Sequence, residues 1–320
     1  MEYNKLPGTD IQVSKICLGT MTWGRQNSES EAFEQMDYSL DKGVNFFDTA
    51  ELYPVPATPD RYADTERIIG NWLESRKTRD KIVLASKIAG PGDYTAHIRK
   101  TGFKGNSIEE AINGSLERLK TDYIDLIYLH HCNFGKEDEY LESALDVLRS
   151  FQSEGKIRFI GLSDWSNERI VKYIDICDPD VVQPYRNIMD NSYEKSGLKS
   201  IIDGRNLGVC FFSPIKHGLL TGKYKSPTFF KEGDHRSNIK DFQNEKILRK
   251  ILLNCEELKK KFKNKKNPVL YGVVNALFLD SPTSCVLLGQ RNVEQVEVAS
   301  SLGDVLSSED TTWVKSLYDN

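Results

Sequence analysis

Eight short runs rich in β-branched and aliphatic residues recur along the 320-residue chain, at 16–20, 44–48, 82–87, 124–130, 157–162, 181–183, 209–213 and 285–288. Amphipathic helical patterns separate them, at 29–42, 63–76, 107–120, 138–154, 166–177, 191–206, 241–263 continued by 268–279, and 292–302. A strand that is apolar on both faces has to be covered on both faces, and parallel strands joined by crossover helices achieve that. Eight such units predict an α/β fold of the (β/α)8 TIM-barrel type. An open doubly wound sheet is the competing solution, but it would place Gly-x-Gly-x-x-Gly after its first strand. Gly19-Thr-Met-Thr-Trp-Gly24 has the wrong spacing for that turn. Ahead of the first barrel strand, 2–6 and 11–14 flank Pro7-Gly-Thr-Asp10, which predicts a hairpin placed to plug the barrel floor. An extra C-terminal helix is expected after Leu306.

Length alone leaves one or two domains open. With no low-complexity linker and no shift in composition, residues 1–320 read as one domain. The 43 basic and 47 acidic side chains give a net charge of −4, too weak a field to attract nucleic acid or an anionic membrane. Lys259-Lys-Lys-Phe-Lys-Asn-Lys-Lys266 closes a predicted helix, where cations complement the macrodipole, and is expected to be solvated surface. No stretch approaches the roughly 20 apolar residues of a membrane span, and the first residues lack the apolar core of a secretory signal, so the expected compartment is the cytoplasm. The six cysteines are scattered, with no C-x-x-C and no histidine at metal-ligand spacing, which predicts free thiols and no metal site. Ser107 with Glu110 reads as a helix N-cap, and Gly43, Gly155 and Gly208 as helix ends.

In such a barrel the chemistry gathers at the C-terminal ends of the strands. Asp48, Lys87 and His130 close the second, third and fourth strand candidates, and Tyr53 follows in the loop after Asp48. Singly, each has a structural account: a helix cap, a surface stem, a satisfied core histidine, interface packing. Jointly they make a proton donor for a carbonyl undergoing reduction. A phenol with a pKa near 10 holds its proton at neutral pH, a lysine beside it stabilises the phenolate left behind, an aspartate holds that lysine, and a histidine orients the carbonyl oxygen. Hydride has to come from a cofactor, since no side chain supplies it.

These four residues, with Gly19-Thr-Met-Thr-Trp-Gly, Asp48-Thr-Ala-Glu-Leu-Tyr-Pro-Val-Pro and Thr65-Glu-Arg-Ile-Ile-Gly-Asn-Trp-Leu, resemble the aldo-keto reductases, most closely the Tas-type members, and the similarity runs the length of the chain. The resemblance implies a barrel that binds NADPH and reduces small aldehydes and ketones, with Asp48, Tyr53, Lys87 and His130 as the catalytic set. His131 is expected in the pocket wall.

The same resemblance implies the cofactor stations. Gly19, Thr20 and Met21 would be cofactor-binding residues. Ser163 and Asp164, in Gly161-Leu-Ser-Asp164, and Gln183 would hold the nicotinamide carboxamide, although the family has Asn at 164 and an ionised Asp cannot donate to the amide oxygen; a helix cap is the other account of Asp164. Phe212 would stack on the nicotinamide, followed by Ser213, Pro214 and Ile215. Gly218, Leu219 and Lys223, in Gly218-Leu-Leu-Thr-Gly-Lys223, match the pyrophosphate loop. Gly289, Arg291 and Gln295 match the site of the adenosine 2′-phosphate, and the Arg291 fork favours NADPH over NADH. Ala299 stands where the family has an adenine-contacting Asn, and Arg186 where it often has Tyr; Arg186 either reaches substrate or makes an ion pair. Two other functions stay open: a cofactor-binding regulatory or redox-sensor subunit with little turnover, and a barrel aldolase or isomerase using Lys87 as a Schiff base, which leaves 289–295 unexplained. Segments 54–64, 89–106 and 225–240, which would set substrate choice, carry no motif, and no signal for oligomeric state is present.

Overall fold

The computed structural model describes residues 1–99, 103–130, 138–163, 166–231 and 234–319. Strands β1 (Tyr3–Lys5) and β2 (Gln12–Ser14) pair antiparallel as the predicted hairpin. Eight parallel strands follow: β3 (Ile16–Gly19), β4 (Phe46–Asp48), β5 (Val83–Ala89), β6 (Ile124–His130), β7 (Ile157–Ser163), β8 (Val181–Gln183), β9 (Gly208–Phe211) and β10 (Cys285–Gly289). They form a closed barrel in sequence order, with β10 pairing both β9 and β3. The (β/α)8 expectation holds, with helices packed outside the strands.

Two apolar layers hold the barrel. The floor is filled by Leu6, Ile11 and Val13 of the hairpin against Cys17, Phe46 and Tyr128, so the hairpin plugs the barrel as expected. Gly161 makes room for Tyr128, because a Cβ there would lie 2.3 Å from that ring. The outer layer joins strands to helices, as where the Phe47 and Trp72 rings lie 5.6 Å apart.

Several boundaries differ for identifiable reasons. β4 starts at Phe46 because Asn45 is drawn to the hairpin: its side chain accepts from the Ser14 N–H (2.7 Å) and donates to the Gln12 carbonyl (3.0 Å). β5 runs two residues past Lys87, pairing Ile88 with Leu129 and Ala89 with His130, so Lys87 is not a strand terminus but sits one layer below the rim. The expected cap at Ser107 is incorrect. The helix begins at Gly105 with Lys104 at its cap, leaving Ser107 in the first turn for another partner. The 191–206 pattern splits into Ser192–Lys195 and Leu198–Arg205 at the left-handed Gly197 (φ 81°). Gly43 and Gly155 are left-handed as expected, whereas Asn206 (φ 55°) takes that role before β9 and Gly208 opens the strand. The last crossover helices run Glu245–Lys261, Pro268–Asn275 and Val293–Ala299, and Ser308–Tyr318 forms the C-terminal helix.

The lysine run is surface and ion-paired: Lys259 with Glu256, Lys260 with Glu257, Lys261 with Asp310, Lys265 with Asp304 and Lys266 with Glu297. Cys17, Cys177, Cys210, Cys255 and Cys285 are buried free thiols. No described helix is long and apolar enough to cross a membrane.

The hairpin plug is open to direct test. Leu6→Ala removes a side chain with no exposure and should destabilise the protein by about 2–5 kcal/mol. Urea unfolding reads this, and a loss under about 0.5 kcal/mol would show that the plug is not part of the core.

Candidate active site

The site grows from the ends of β4, β5, β6 and β8. Asp48 ends β4 with no exposed surface, and Lys87, 1% exposed, rises from β5 beside it. The Lys87 ammonium donates to Asp48 Oδ1 and to the Thr49 carbonyl (2.8 Å). The other carboxylate oxygen, Asp48 Oδ2, accepts from Gln183 Nε2 of β8 at 2.9 Å. Both charges are therefore compensated, as burial requires.

Tyr53 arrives on a segment stitched to β5: Thr49 N donates to the Ala85 carbonyl (2.9 Å) and Glu51 N to the Lys87 carbonyl (3.0 Å), after which a turn bond joins Tyr53 N to the Ala50 carbonyl (3.0 Å). This register carries the Tyr53 ring to within 5.0 Å of the Lys87 nitrogen. His130, the last residue of β6, meets the same ring edge-on, with centroids 6.2 Å apart at 84°. The three strand residues Asp48, Lys87 and His130 and the loop residue Tyr53 thus lie close together. Burial raises the Tyr53 phenol above its ordinary 10.0, and the nearby Lys87 charge offsets only part of that. Burial pulls the other way on Lys87, but Asp48 and then Tyr53 outweigh it and hold the ammonium above 10.5. At neutral pH the site thus carries a protonated phenol beside a protonated amine.

The residues expected as cofactor stations have the following surroundings. Gly19 is packed in the barrel seam, where a Cβ would lie 3.2 Å from Gly289 N. The Thr20 hydroxyl donates to the Asp48 carbonyl (2.8 Å), and Met21 packs on the apolar cluster around Tyr53. The Ser163 hydroxyl donates to Gln183 Oε1 at 3.4 Å, so that amide bridges the Asp48 pair and Ser163. Asp164 lies outside the described residues, as do His131 and Cys132. Phe212 follows the end of β9 and is fixed by its backbone, its N–H donating to the Pro184 carbonyl (3.1 Å) and its carbonyl accepting from Arg186 N (3.2 Å). Its ring meets Tyr185 at 5.4 Å. Ser213 is left-handed (φ 58°), and its hydroxyl oxygen is buried without a partner among the described residues. Pro214 and Leu219 are buried, and Ile215 packs on the core. Gly218 and Gly222 are left-handed (φ 90° and 74°), with the Lys223 ammonium folded back over Gly218. At the far end Arg291 N donates to Gln295 Oε1 (3.0 Å), while Gly289 faces open space.

The aldo/keto reductase family model matches residues 15–319. This chain belongs to the aldo/keto reductase family. Protein Tas of Escherichia coli is 37% identical over 248 residues, covering 70% of this chain and 71% of Tas. Among solved structures, a glycerol dehydrogenase from Gluconobacter oxydans superposes with TM-score 0.78 at 24% identity, covering 98% of this chain and 94% of that one. The holo form of an aldo-keto reductase from Bacillus halodurans gives TM-score 0.74 at 25% identity over 99% and 96% of the two chains. Family membership carries oxidoreductase chemistry on carbonyl groups.

Two departures from the family pattern now have physical accounts. Arg186 takes the ion-pair alternative: it is buried against Glu194 (2.5 Å) and Asp280 (3.5 Å), with Tyr193 and Phe211 rings against its guanidinium. Ala299 is part of the main core, so its side chain packs inward. Residues that carried no signal in sequence also gather here. His235 Nε2 lies 3.0 Å from His217 Nδ1, tying 225–240 to the Gly218 loop. Arg236, held by Asp234 and the Tyr224 hydroxyl (3.1 Å), adds to burial in lowering the Arg291 guanidinium below its usual value. Asp-His-Arg at 234–236 matches no motif, and only the fold brings it to Arg291.

Lys87→Met would leave the Asp48 charge buried and unpaired, a change that typically destabilises by about 3–5 kcal/mol. Denaturant unfolding should show this loss, and Asp48→Asn with Lys87→Met should recover most of it. A single variant as stable as the parent protein would contradict the pairing.

Proposed function

We propose that the protein reduces aldehydes and ketones to alcohols with NADPH, and that Tyr53 is the proton donor, assisted by Lys87, Asp48 and His130. The observation that carries this reading is the buried Lys87–Asp48 pair lying against the Tyr53 ring with the His130 edge beside it. When bound, NADPH supplies hydride to the carbonyl carbon. The Tyr53 phenol gives its proton to the carbonyl oxygen and is left as phenolate, later reprotonated from water. A unit charge about 4 Å from that phenolate favours it by about 4 kcal/mol at an effective dielectric constant near 20, which is the work assigned to Lys87. Asp48, braced by Gln183, keeps the ammonium in place. His130 orients the carbonyl oxygen.

The residues present fit this cofactor. The hydroxyl of Ser213 and Gln290 Oε1 are buried polar atoms on the proposed track with no partner among the described residues, and the left-handed Gly218 and Gly222 leave backbone room for a pyrophosphate. Ser163, Gln183 and Phe212 would hold the nicotinamide end, Lys223 the pyrophosphate and Arg291 the 2′-phosphate. The helix behind Arg291 spans only Val293–Ala299, so side-chain charge carries more of that anion site than the helix dipole does.

The test is loss of NADPH absorbance with an aromatic aldehyde, with Tyr53→Phe falling at least about a hundredfold. Equal rates in the two proteins would sink the proton-donor role, and tight NADPH binding without turnover across many carbonyls would point to a regulatory subunit. Because Tyr53 acts in its protonated form and its pKa lies above 10.0, the reduction rate should stay level through neutral pH and fall only as pH rises through that raised value. A fall already complete by pH 8 would assign the proton to another group. Arg291→Ala should raise KM for NADPH severalfold with little change for NADH, and an equal loss for both would remove Arg291 from 2′-phosphate recognition.

A further inference from the structure

Between Asp48 and Tyr53 lies a second buried charge that the proposed chemistry does not use. Glu51 Oε2 accepts from the Ala89 N–H at 2.9 Å, where β5 ends, and from Arg99 Nη2 at 2.5 Å. Both partners are nearly out of water, with side-chain exposures of 3% for Arg99 and 7% for Glu51. The same guanidinium donates from Nε to the Ala89 carbonyl (3.1 Å) and from Nη1 to the carbonyl (2.6 Å) and hydroxyl (2.7 Å) of Ser107. One arginine thereby joins the end of β5, the first turn of the Gly105–Leu119 helix and the segment carrying Tyr53. This also accounts for Ser107, which is a ligand of Arg99 instead of a cap.

The segment from Gly90 to Arg99 is hydrogen-bonded within itself. The Thr95 hydroxyl donates to the Gly90 carbonyl (2.6 Å), and the Ile98 and Arg99 N–H groups both donate to the Thr95 carbonyl (2.8 Å). Arg99 is the residue of this segment that carries its charged contacts to the end of β5 and to Glu51. Ile98, next to Arg99, packs on the small cluster of Ala50, Leu52, Tyr53 and Ala89. A buried ion pair is a poor source of net stability compared with apolar side chains of similar volume, but each of its hydrogen bonds is directional.

We propose that Glu51 and Arg99 are positioning residues: their ion pair holds the segment leaving β5 down on the Tyr53 segment, with Ile98 as a wall beside the Tyr53 phenol. The pair acts through Ile98 and the backbone, not on the reacting atoms. The effect on turnover rests on the reading of Tyr53 as proton donor, but the effect on the segment does not.

The informative variant is Glu51→Met with Arg99→Met, which removes both charges together and avoids the unpaired buried Glu51 that Arg99→Met alone would leave. Hydrogen exchange, read without cofactor or substrate, should show the Ile98 amide, whose acceptor is the Thr95 carbonyl and not either member of the pair, exchanging at least about tenfold faster while β6 and β7 amides are unchanged. With an aromatic aldehyde, kcat should fall at least about tenfold while the fluorescence-measured Kd for NADPH stays within about twofold. Should the double variant not fold, Glu51→Gln, which keeps volume and loses charge, should move both readouts in the same directions by about threefold or more. Unchanged exchange at Ile98 overturns the holding role, and faster exchange with parental kcat overturns the positioning role. If the parent protein reduces no carbonyl at all, the proposed function fails, and the exchange experiment still decides whether the pair holds the segment.

Discussion

The arrangement of the candidate site depends on keeping an ammonium ion and a carboxylate inside a barrel where both are buried from solvent. Desolvating two charges is expensive, and attraction offsets that only when the remaining hydrogen-bonding capacity is also met. Here it is met from three strands: Lys87 from β5 reaches Asp48 on β4 and the Thr49 carbonyl, and Gln183 from β8 satisfies the second carboxylate oxygen. An open sheet would bring β4 and β5 together as neighbours. Closure of the barrel is what also places β8 across from them, with the pair at its mouth.

From that pair the rest follows in order. On the proposed function, a protonated lysine held in place beside a buried phenol makes that phenol an acid that keeps its proton and releases it at reduced cost when an alkoxide forms. Gln183 couples the pair to Ser163 and thus to the proposed nicotinamide station. Glu51 and Arg99 repeat the same physical device one loop farther out, where a directional ion pair fixes a segment that apolar contact alone would let slide. The barrel supplies fixed strand ends, and buried charge pairs turn those ends into placed side chains.

Much of this was legible in the sequence because the signals are local. Strands covered on both faces read as apolar runs, and a polar residue breaking such a run at its C-terminal end stands out, as Asp48 and His130 do. Lys87 reads as a strand end although β5 continues to Ala89, because Ile88 and Ala89 are recruited by pairing with β6, a partner 41 residues away along the register. Ser107 looked like a cap because Ser-x-x-Glu is a local pattern, whereas its partner, Arg99, belongs to a loop without one. Glu51 and Arg99 are 48 residues apart, and His217 and His235 are 18 apart across a motif-free loop. Neither pairing has a spacing that a linear pattern can expose, since both are set by how loops from different strands fold over one rim. Arg186 is the reverse case: its position suggested two roles, and only the carboxylates of Glu194 and Asp280 brought in by the fold decide for the ion pair.

The central claim is that one rim joins a Tyr53 proton donor to a cofactor track running from Ser163 and Gln183 past Phe212 and Lys223 to Arg291. A crystal structure of the protein grown with NADP+ tests it most directly. The account predicts the nicotinamide ring against Phe212 with its reactive carbon facing the Tyr53 hydroxyl, the pyrophosphate over Gly218 to Lys223, and the 2′-phosphate on Arg291. A nicotinamide bound away from Tyr53, or a 2′-phosphate turned to solvent with Arg291 unengaged, would contradict it.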